Sequence, residues 1–152
     1  MLYKATIHTF LHSIMPDGQR DKLVHTARAV ASVRDDKTWM LRYHDEENGG
    51  ETVVSGTPHA ITLRRCGSVT SRMVFETSRQ TEAYYRTTAG EMDMQVFTRK
   101  IFSVLEAHSG RFRLDYDLMM AGETVAKNTL EVCLQRDRLD CAAPSGGAMQ
   151  GG

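Results

Sequence analysis

Cysteine is scarce in this sequence, and its pattern argues against two classes of site. The three cysteines are Cys66, Cys133 and Cys141. An odd number of widely spaced cysteines does not indicate a disulfide framework or a zinc site. We therefore expect reduced thiols.

Charge of one sign and long apolar runs are also missing. Lysine plus arginine equals aspartate plus glutamate, with 19 of each, so no net charge attracts nucleic acid or an anionic membrane. No apolar run approaches the roughly 20 residues that span a bilayer. The N-terminal segment MLYKATIHTF lacks the basic and apolar regions of a signal peptide. We predict a cytoplasmic protein with no nucleic-acid or membrane partner.

Helical periodicity and known catalytic motifs are absent as well. No long segment repeats its apolar residues with the helical period, and the best short helical candidate is a turn at residues 103–107. The sequence contains no glycine-rich phosphate loop, no G-x-S-x-G and no H-E-x-x-H. His8 and His12 share one strand face, but four strand residues span about 13 Å, too far for one metal ion. We predict no metal site and no cofactor.

Alternation of apolar and polar residues dominates what is present, above all in residues 61–100. Such alternation, broken by turn residues, predicts antiparallel strands with one buried face. The predicted strands cover residues 3–14, 22–33, 38–44, 51–55, 59–65, 68–76, 81–88, 91–102, 111–118 and 125–135. Hairpin connections favour a barrel, because closure removes exposed strand edges. We predict an all-β fold, a single antiparallel up-and-down barrel of about eight to ten strands, over residues 1–136, followed by a disordered glycine-rich tail at 137–152.

The middle of the chain also carries a motif of spaced glycine, aromatic and polar residues. Its members are Arg65, Gly67, Val69, Arg72, Phe75, Thr81, Tyr85, Thr87, Gly90 and Thr98, continued by Gly110, Arg111, Tyr116 and Asn128. In this motif the chain resembles the YwiB-like family, small bacterial proteins classed as a domain of unknown function. That family resembles the calycins, the barrel architecture of lipocalins and fatty-acid-binding proteins. The resemblance implies a barrel and brings no established activity.

Polar residues of the motif fall on the apolar, inward face of their strands. They are Arg65, Tyr85, Thr87, Thr98, Tyr116 and Asn128. Side chains two apart on a strand share a face, and Tyr116, for example, shares the parity of Phe112 and Leu114. Buried polar groups must be hydrogen-bonded, and a buried arginine needs an anion or several acceptors.

Three explanations of this inward polar set remain open. The first is an internal hydrogen-bonded network, or a plug at one end of the barrel. The second is a pocket lined by these side chains for a small, anionic ligand. The third is a misjudged register, because a bulge at Gly67 would reverse the parity of Arg72 and its neighbours.

Three functions are compatible with the sequence. We favour a non-enzymatic module that binds a small molecule in a pocket touching Arg65, Tyr85 and Thr98. The alternative is a structural or protein-interaction barrel with a filled interior, either a monomer or a homodimer. That alternative predicts an exposed apolar patch around Trp39 and Phe97.

The third function is an enzyme, and we consider it the weakest. Arg65 would hold an anionic substrate, and Tyr85 or Tyr116 would donate a proton. A tyrosine with a pKa near 10 needs a positive neighbour to ionise near neutral pH, and Arg65 is the candidate.

Overall fold

Strands account for nearly all of the computed structural model, which describes residues 1–46 and 48–138. They are β1 (Leu2–Ile14), β2 (Arg20–Val33), β3 (Trp39–Asp45), β4 (Gly50–Gly56), β5 (Ala60–Arg65), β6 (Thr70–Glu76), β7 (Arg79–Thr87), β8 (Gly90–Leu105), β9 (Ser109–Met120) and β10 (Glu123–Arg136). The alternation seen in the sequence explains them: in β9, buried Phe112 and Leu114 alternate with exposed Arg111 and Arg113.

The strands form one closed antiparallel barrel. Each strand pairs with its neighbours along the chain, and β1 pairs with β10 to close the sheet. The all-β, up-and-down prediction is therefore confirmed. The described residues contain no helix that could cross a membrane.

The short helical candidate at residues 103–107 does not form a helix. Residues 103–105 belong to β8, where Ser103 pairs with Phe112 and Leu105 with Gly110. Ladder hydrogen bonds to β9 outweigh the weak local preference for a turn.

Two register shifts interrupt the ladders, and neither lies at Gly67. One falls at Arg99 in β8 and the other at Val125 in β10. Because one extra residue reverses the alternation, Thr98 and Ile101 both face the interior although they are three residues apart. Gly67 instead lies in the turn between β5 and β6, and Arg72 is exposed, as its unshifted parity requires.

The connections after even-numbered strands gather at one end of the barrel, which we call the closed end. There the Trp39 ring stacks on Phe112 with 5.2 Å between centroids. The Tyr3 hydroxyl donates to the Glu106 carbonyl oxygen at 2.7 Å. Gly56 gives the indole room, because a Cβ at residue 56 would lie 2.3 Å from the Trp39 ring. Aromatic side chains therefore fill this end.

This packing contradicts the exposed apolar patch predicted around Trp39 and Phe97. Trp39 is only 5% exposed, and Phe97 is half-buried. Strand parity placed Trp39 on the same face as Leu41, but it could not show that this face turns inward at the closed end.

The connections after odd-numbered strands form the opposite end, which we call the open end. Here β2 pairs with β3 only through residues 29–33. Residues 20–28 therefore have β1 as their one strand partner within the described part of the chain. This half of β2 borders the interior without being covered by β3.

The last strand of the barrel ends at Arg136. Asp137 follows it and is held by Thr6, whose hydroxyl donates to the Asp137 carboxylate at 2.8 Å. The predicted disordered tail lies almost entirely at residues 139–152, outside the described residues.

Candidate functional site: a cavity at the open end

A cavity of about 170 Å³ lies inside the barrel. Its wall is mainly apolar, with fully buried Leu41, Phe75 and Phe112 among its members. Leu23 lines it from β2 and is 51% exposed, so the cavity reaches the open end beside the uncovered part of that strand. The polar side chains of the lining are Thr9, His25, Tyr43, Asp45, Thr52, Arg65 and Tyr116.

An ion pair stands at the open-end edge of this lining. Arg65 Nη2 donates to Asp45 Oδ2 at 3.1 Å, and the Asp45 side chain is only 10% exposed. The other carboxylate oxygen accepts a hydrogen bond from the Asn48 backbone N–H at 3.3 Å. Burial by itself would raise the pKa of Asp45, but the bonds from Arg65 and Asn48 outweigh it and lower that pKa. Both oxygens of Asp45 are thus engaged, and the carboxylate stays charged.

Asn48 fixes the loops around this ion pair. Its side-chain amide donates to the Val69 carbonyl oxygen at 2.9 Å and accepts from the Val69 N–H at 2.7 Å. Gly67 permits the approach, because a Cβ at residue 67 would lie 2.2 Å from the Asn48 carbonyl oxygen. Asn48 is only 6% exposed, and its bonds join the β3–β4 and β5–β6 turns into one rim beside Arg65.

A first polar row crosses five adjacent strands. In register from β7 to β3 it comprises Tyr85, Ser71, Arg65, Thr52 and Tyr43. Ser71 and Thr52 are fully buried, and neither hydroxyl has a hydrogen-bond partner among the described residues. Burial raises the pKa of Tyr43. The row therefore presents hydroxyl groups and one guanidinium to the interior.

A second polar row lies on the other wall. It comprises Thr98, Tyr116, Asn128 and Ser13, directly opposite one another on β8, β9, β10 and β1. All are buried, and Thr98 Oγ1 and Asn128 Oδ1 have no hydrogen-bond partner within the described part of the chain. The Tyr116 ring packs edge-on against Phe75, 4.9 Å between centroids. Tyr116 brings this row to the cavity wall.

Comparison with known protein families shows which family the chain belongs to. Residues 9–132 match the family described as Domain of unknown function (DUF1934). This chain belongs to that family. The membership confirms the resemblance inferred from the glycine, aromatic and polar motif of the sequence.

Two further comparisons agree with a DUF1934 barrel. The uncharacterized beta-barrel protein YwiB of Bacillus subtilis (strain 168) is 25% identical over 111 residues, which are 72% of this chain and 78% of that relative. The crystal structure of the ywiB protein from Bacillus subtilis matches with a TM-score of 0.79 and 21% identity, covering 90% of this chain and 94% of the other. At this identity the match demonstrates the common fold.

The six residues predicted to line a site have separate places in this DUF1934 barrel. Arg65 and Tyr116 line the cavity. Tyr85 belongs to the first polar row, and Thr98 and Asn128 flank Tyr116 in the second.

Thr87, the sixth predicted residue, lies outside both rows. It is half-buried at the end of β7. Its hydroxyl accepts from the Ala89 N–H at 3.1 Å, within the β7–β8 turn. Its described contacts are therefore those of a turn residue.

Several residues of the site were not among those predicted, and four of them show what the sequence could and could not reveal. Thr52 and Ser71 are polar residues at inward positions of short strands, so the parity rule could have found them. Tyr43 shares a strand face with Trp39 and Leu41 in the sequence pattern, but that pattern does not show that the face lines a cavity. Asp45 was placed in a loop, and its pairing with Arg65 depends on the β3–β4–β5 register, which the sequence does not give.

Acid–base or metal chemistry finds little support in the described geometry. No group of three or more histidine, cysteine, aspartate or glutamate residues within residues 1–46 and 48–138 could hold a metal ion. Burial raises the pKa of Tyr116, the opposite of what proton transfer near neutral pH requires. Arg65 bonds Asp45 rather than standing free beside Tyr85.

Proposed function

We propose that this protein is a non-enzymatic module that binds a small molecule in the cavity at the open end of its barrel. The observation that carries the proposal is an apolar cavity with buried hydroxyl groups on its wall. Thr9 and Thr52 both line it, and the Oγ1 atom of each is buried without a hydrogen-bond partner among the described residues. Because buried polar atoms are normally hydrogen-bonded, these two support a role in holding a polar group inside the cavity.

The volume sets the size of the ligand. An engineered apolar cavity of about 150 Å³ in another protein binds benzene, and this cavity measures about 170 Å³. A molecule with one aromatic ring, or a branched aliphatic group of similar volume, would fill it. The cavity is too small for a long fatty acid. We therefore take from the resemblance to calycins only a barrel with an internal site, and we do not propose a lipid carrier.

Benzene is a suitable first probe, because it has no polar group and so tests only whether an apolar ring binds in the cavity. We expect it to raise the thermal midpoint of the wild-type protein, because a ligand that binds only the folded state stabilises it. Val54 is buried in the cavity wall, and Val53 is its half-buried neighbour on the opposite face of β4. Val54→Phe should abolish the shift by filling the cavity, whereas Val53→Phe should retain it.

Native mass spectrometry of gently purified protein would then identify a natural ligand class. We expect a mass above that of the denatured chain. Absence of any benzene shift in the wild-type protein, or an equal shift in Val54→Phe that has folded normally by circular dichroism, would contradict the proposal.

A protein-interaction barrel is the second candidate, and one observation favours it. Residues 20–28 of β2 have an edge that no described strand covers. Val24 and the adjacent Phe10 on β1 are 69% and 42% exposed on the outer face. Uncovered edges of this kind can pair with another strand. However, Arg20, Lys22 and Arg28 are also exposed there, and such charges oppose pairing between two copies.

Sedimentation across a range of protein concentrations tests the second candidate. A homodimer would dissociate on dilution, and Val24→Lys would weaken it. A monomer at every concentration would contradict the homodimer.

A cytoplasmic location remains our expectation, supported by the free thiols Cys66 and Cys133.

A further inference from the structure

The charge balance at the cavity mouth bears on which ligands can enter. Arg65 is the cationic side chain that would attract an acid, but its guanidinium already bonds Asp45 at 3.1 Å. Asp45 is nearly buried, and its two oxygens accept bonds from Arg65 and Asn48. The pair is held between two turns that Asn48 joins. Arg65 and Asp45 therefore form a neutral unit built into the rim.

We propose that the ligand of this cavity is an uncharged molecule with one aromatic or branched aliphatic body and a single hydroxyl or carbonyl head group. This inference rests on the proposed binding function and specifies the chemical class of the ligand. An acid remains the competing class, because Arg65 was predicted from the sequence to bind an anion.

The polar atoms of the wall are suited to a neutral head group. Thr52 lies between Tyr43 and Arg65 in the register of the first polar row. A threonine hydroxyl both donates and accepts, so it can bind an alcohol or a carbonyl. Burial raises the pKa of Tyr43 and of Tyr116, which keeps both hydroxyls protonated at neutral pH.

A carboxylate would meet the opposite situation. Bound to Arg65, it would share one guanidinium with Asp45, and two carboxylates sharing a site repel each other. It would also lose its hydration against a wall that is mainly aliphatic. His25 is the remaining basic side chain of the lining.

Benzyl alcohol and benzoate are matched probes, because they share the ring and differ in the head group. We expect calorimetric titration of the wild-type protein to give a Kd for benzyl alcohol at least about tenfold lower than for benzoate, from the like charge of Asp45. Asp45→Asn frees the guanidinium, so benzoate should gain about tenfold relative to benzyl alcohol. Asp93→Asn, an exposed aspartate of β8, is the control and should change neither Kd.

Arg65→Gln provides a second variant should Asp45→Asn fail to fold. It leaves the Asp45 charge unbalanced, so benzoate binding should be lost while benzyl alcohol binding is kept. Arg64→Gln, on the outer face of β5, is its control.

The possible outcomes distinguish a wrong ligand class from a wrong binding function. Benzoate binding to the wild-type protein as tightly as benzyl alcohol would overturn the neutral class but leave the binding function intact. Failure of both probes in a protein that binds benzene would also overturn the neutral class alone. Failure of both probes together with benzene would overturn the binding function itself.

Discussion

Replacing Thr52 by valine should stabilise this protein, although the residue is buried in a β-strand at the centre of the proposed site. The Thr52 side chain is 1% exposed, and its hydroxyl makes no hydrogen bond of ordinary geometry with the described residues. It lies close enough to Tyr43 to oppose the rise in pKa that burial causes in the Tyr43 hydroxyl, but not at the geometry of a hydrogen bond. A hydroxyl buried without a partner costs about 1–3 kcal/mol. Valine replaces it with a methyl group of similar size and removes that cost.

The expected gain lies near the lower end of this range. Thr52 borders the cavity, and water that enters beside it can satisfy part of its hydrogen bonding. We therefore expect the free energy of unfolding to rise by about 1 kcal/mol, which corresponds to roughly 2–4 °C in the thermal midpoint of a domain of this size.

Thr81→Val is the matched control, and it should change the free energy of unfolding in the opposite direction. The Thr81 hydroxyl donates to the Val74 carbonyl oxygen, which lies on β6 where the ladder to β7 has ended. Removing that bond should lower the free energy of unfolding by about 1 kcal/mol.

Urea unfolding, followed by circular dichroism, measures both variants against the wild-type protein. Equal slopes with shifted midpoints would mean that stability alone has changed. A loss of stability in Thr52→Val as large as that in Thr81→Val would refute the reasoning, because it would mean that the Thr52 hydroxyl is well bonded in solution.

Three further predictions concern the two ends of the barrel. Gly56→Ala should lower the free energy of unfolding by about 1–3 kcal/mol, measured by urea unfolding, because its Cβ would overlap the Trp39 ring. Asn48→Ala should lower the free energy of unfolding by about 2 kcal/mol, because two hydrogen bonds are lost. It should also speed hydrogen exchange of the Val69 backbone amide, which Asn48 binds. Asp45→Asn should be less stable than the wild-type protein at neutral pH, and this difference in the free energy of unfolding should shrink as the pH falls below about 4. The pKa of Asp45 is lowered in the folded state, so the wild-type protein loses the stabilisation from this carboxylate as it becomes protonated.

Each of these predictions has an outcome that contradicts it. An unchanged midpoint in Gly56→Ala would mean that the indole moves aside at little cost. Val69 amide exchange as slow in Asn48→Ala as in the wild-type protein would mean that Asn48 does not hold the rim. A stability difference between Asp45→Asn and the wild-type protein that stays constant from neutral to acidic pH would mean that the Asp45–Arg65 pair does not stabilise the fold.

The sequence by itself determined the architecture and the inward direction of the polar residues. Alternation has a period of two residues in any strand, so Tyr116 and Asn128 could be placed on the buried face without knowing what lies opposite. Glycine and polar turn residues marked the hairpins, and hairpins between successive strands imply an up-and-down order. These are local properties, and the structure agrees with them.

Bulges and strand ends were decided by pairing between strands. The shift at Arg99 lets Thr98 and Ile101 both face inward, and no local signal distinguished that position from the rest of β8. The extension of β8 to Leu105 likewise depends on its partner Gly110. Ladder hydrogen bonds form across the sheet, so a single strand's sequence does not contain them.

Only the tertiary structure decided what the polar residues do. Parity placed Arg65 and Tyr85 on the inner face, but register separates them by Ser71 and brings Asp45 to Arg65 instead. The same closure packs Trp39 at one end and leaves a cavity at the other. Distances across a barrel depend on how many strands close it and with what stagger, and for that reason the charge balance of the site came from the fold rather than from the sequence.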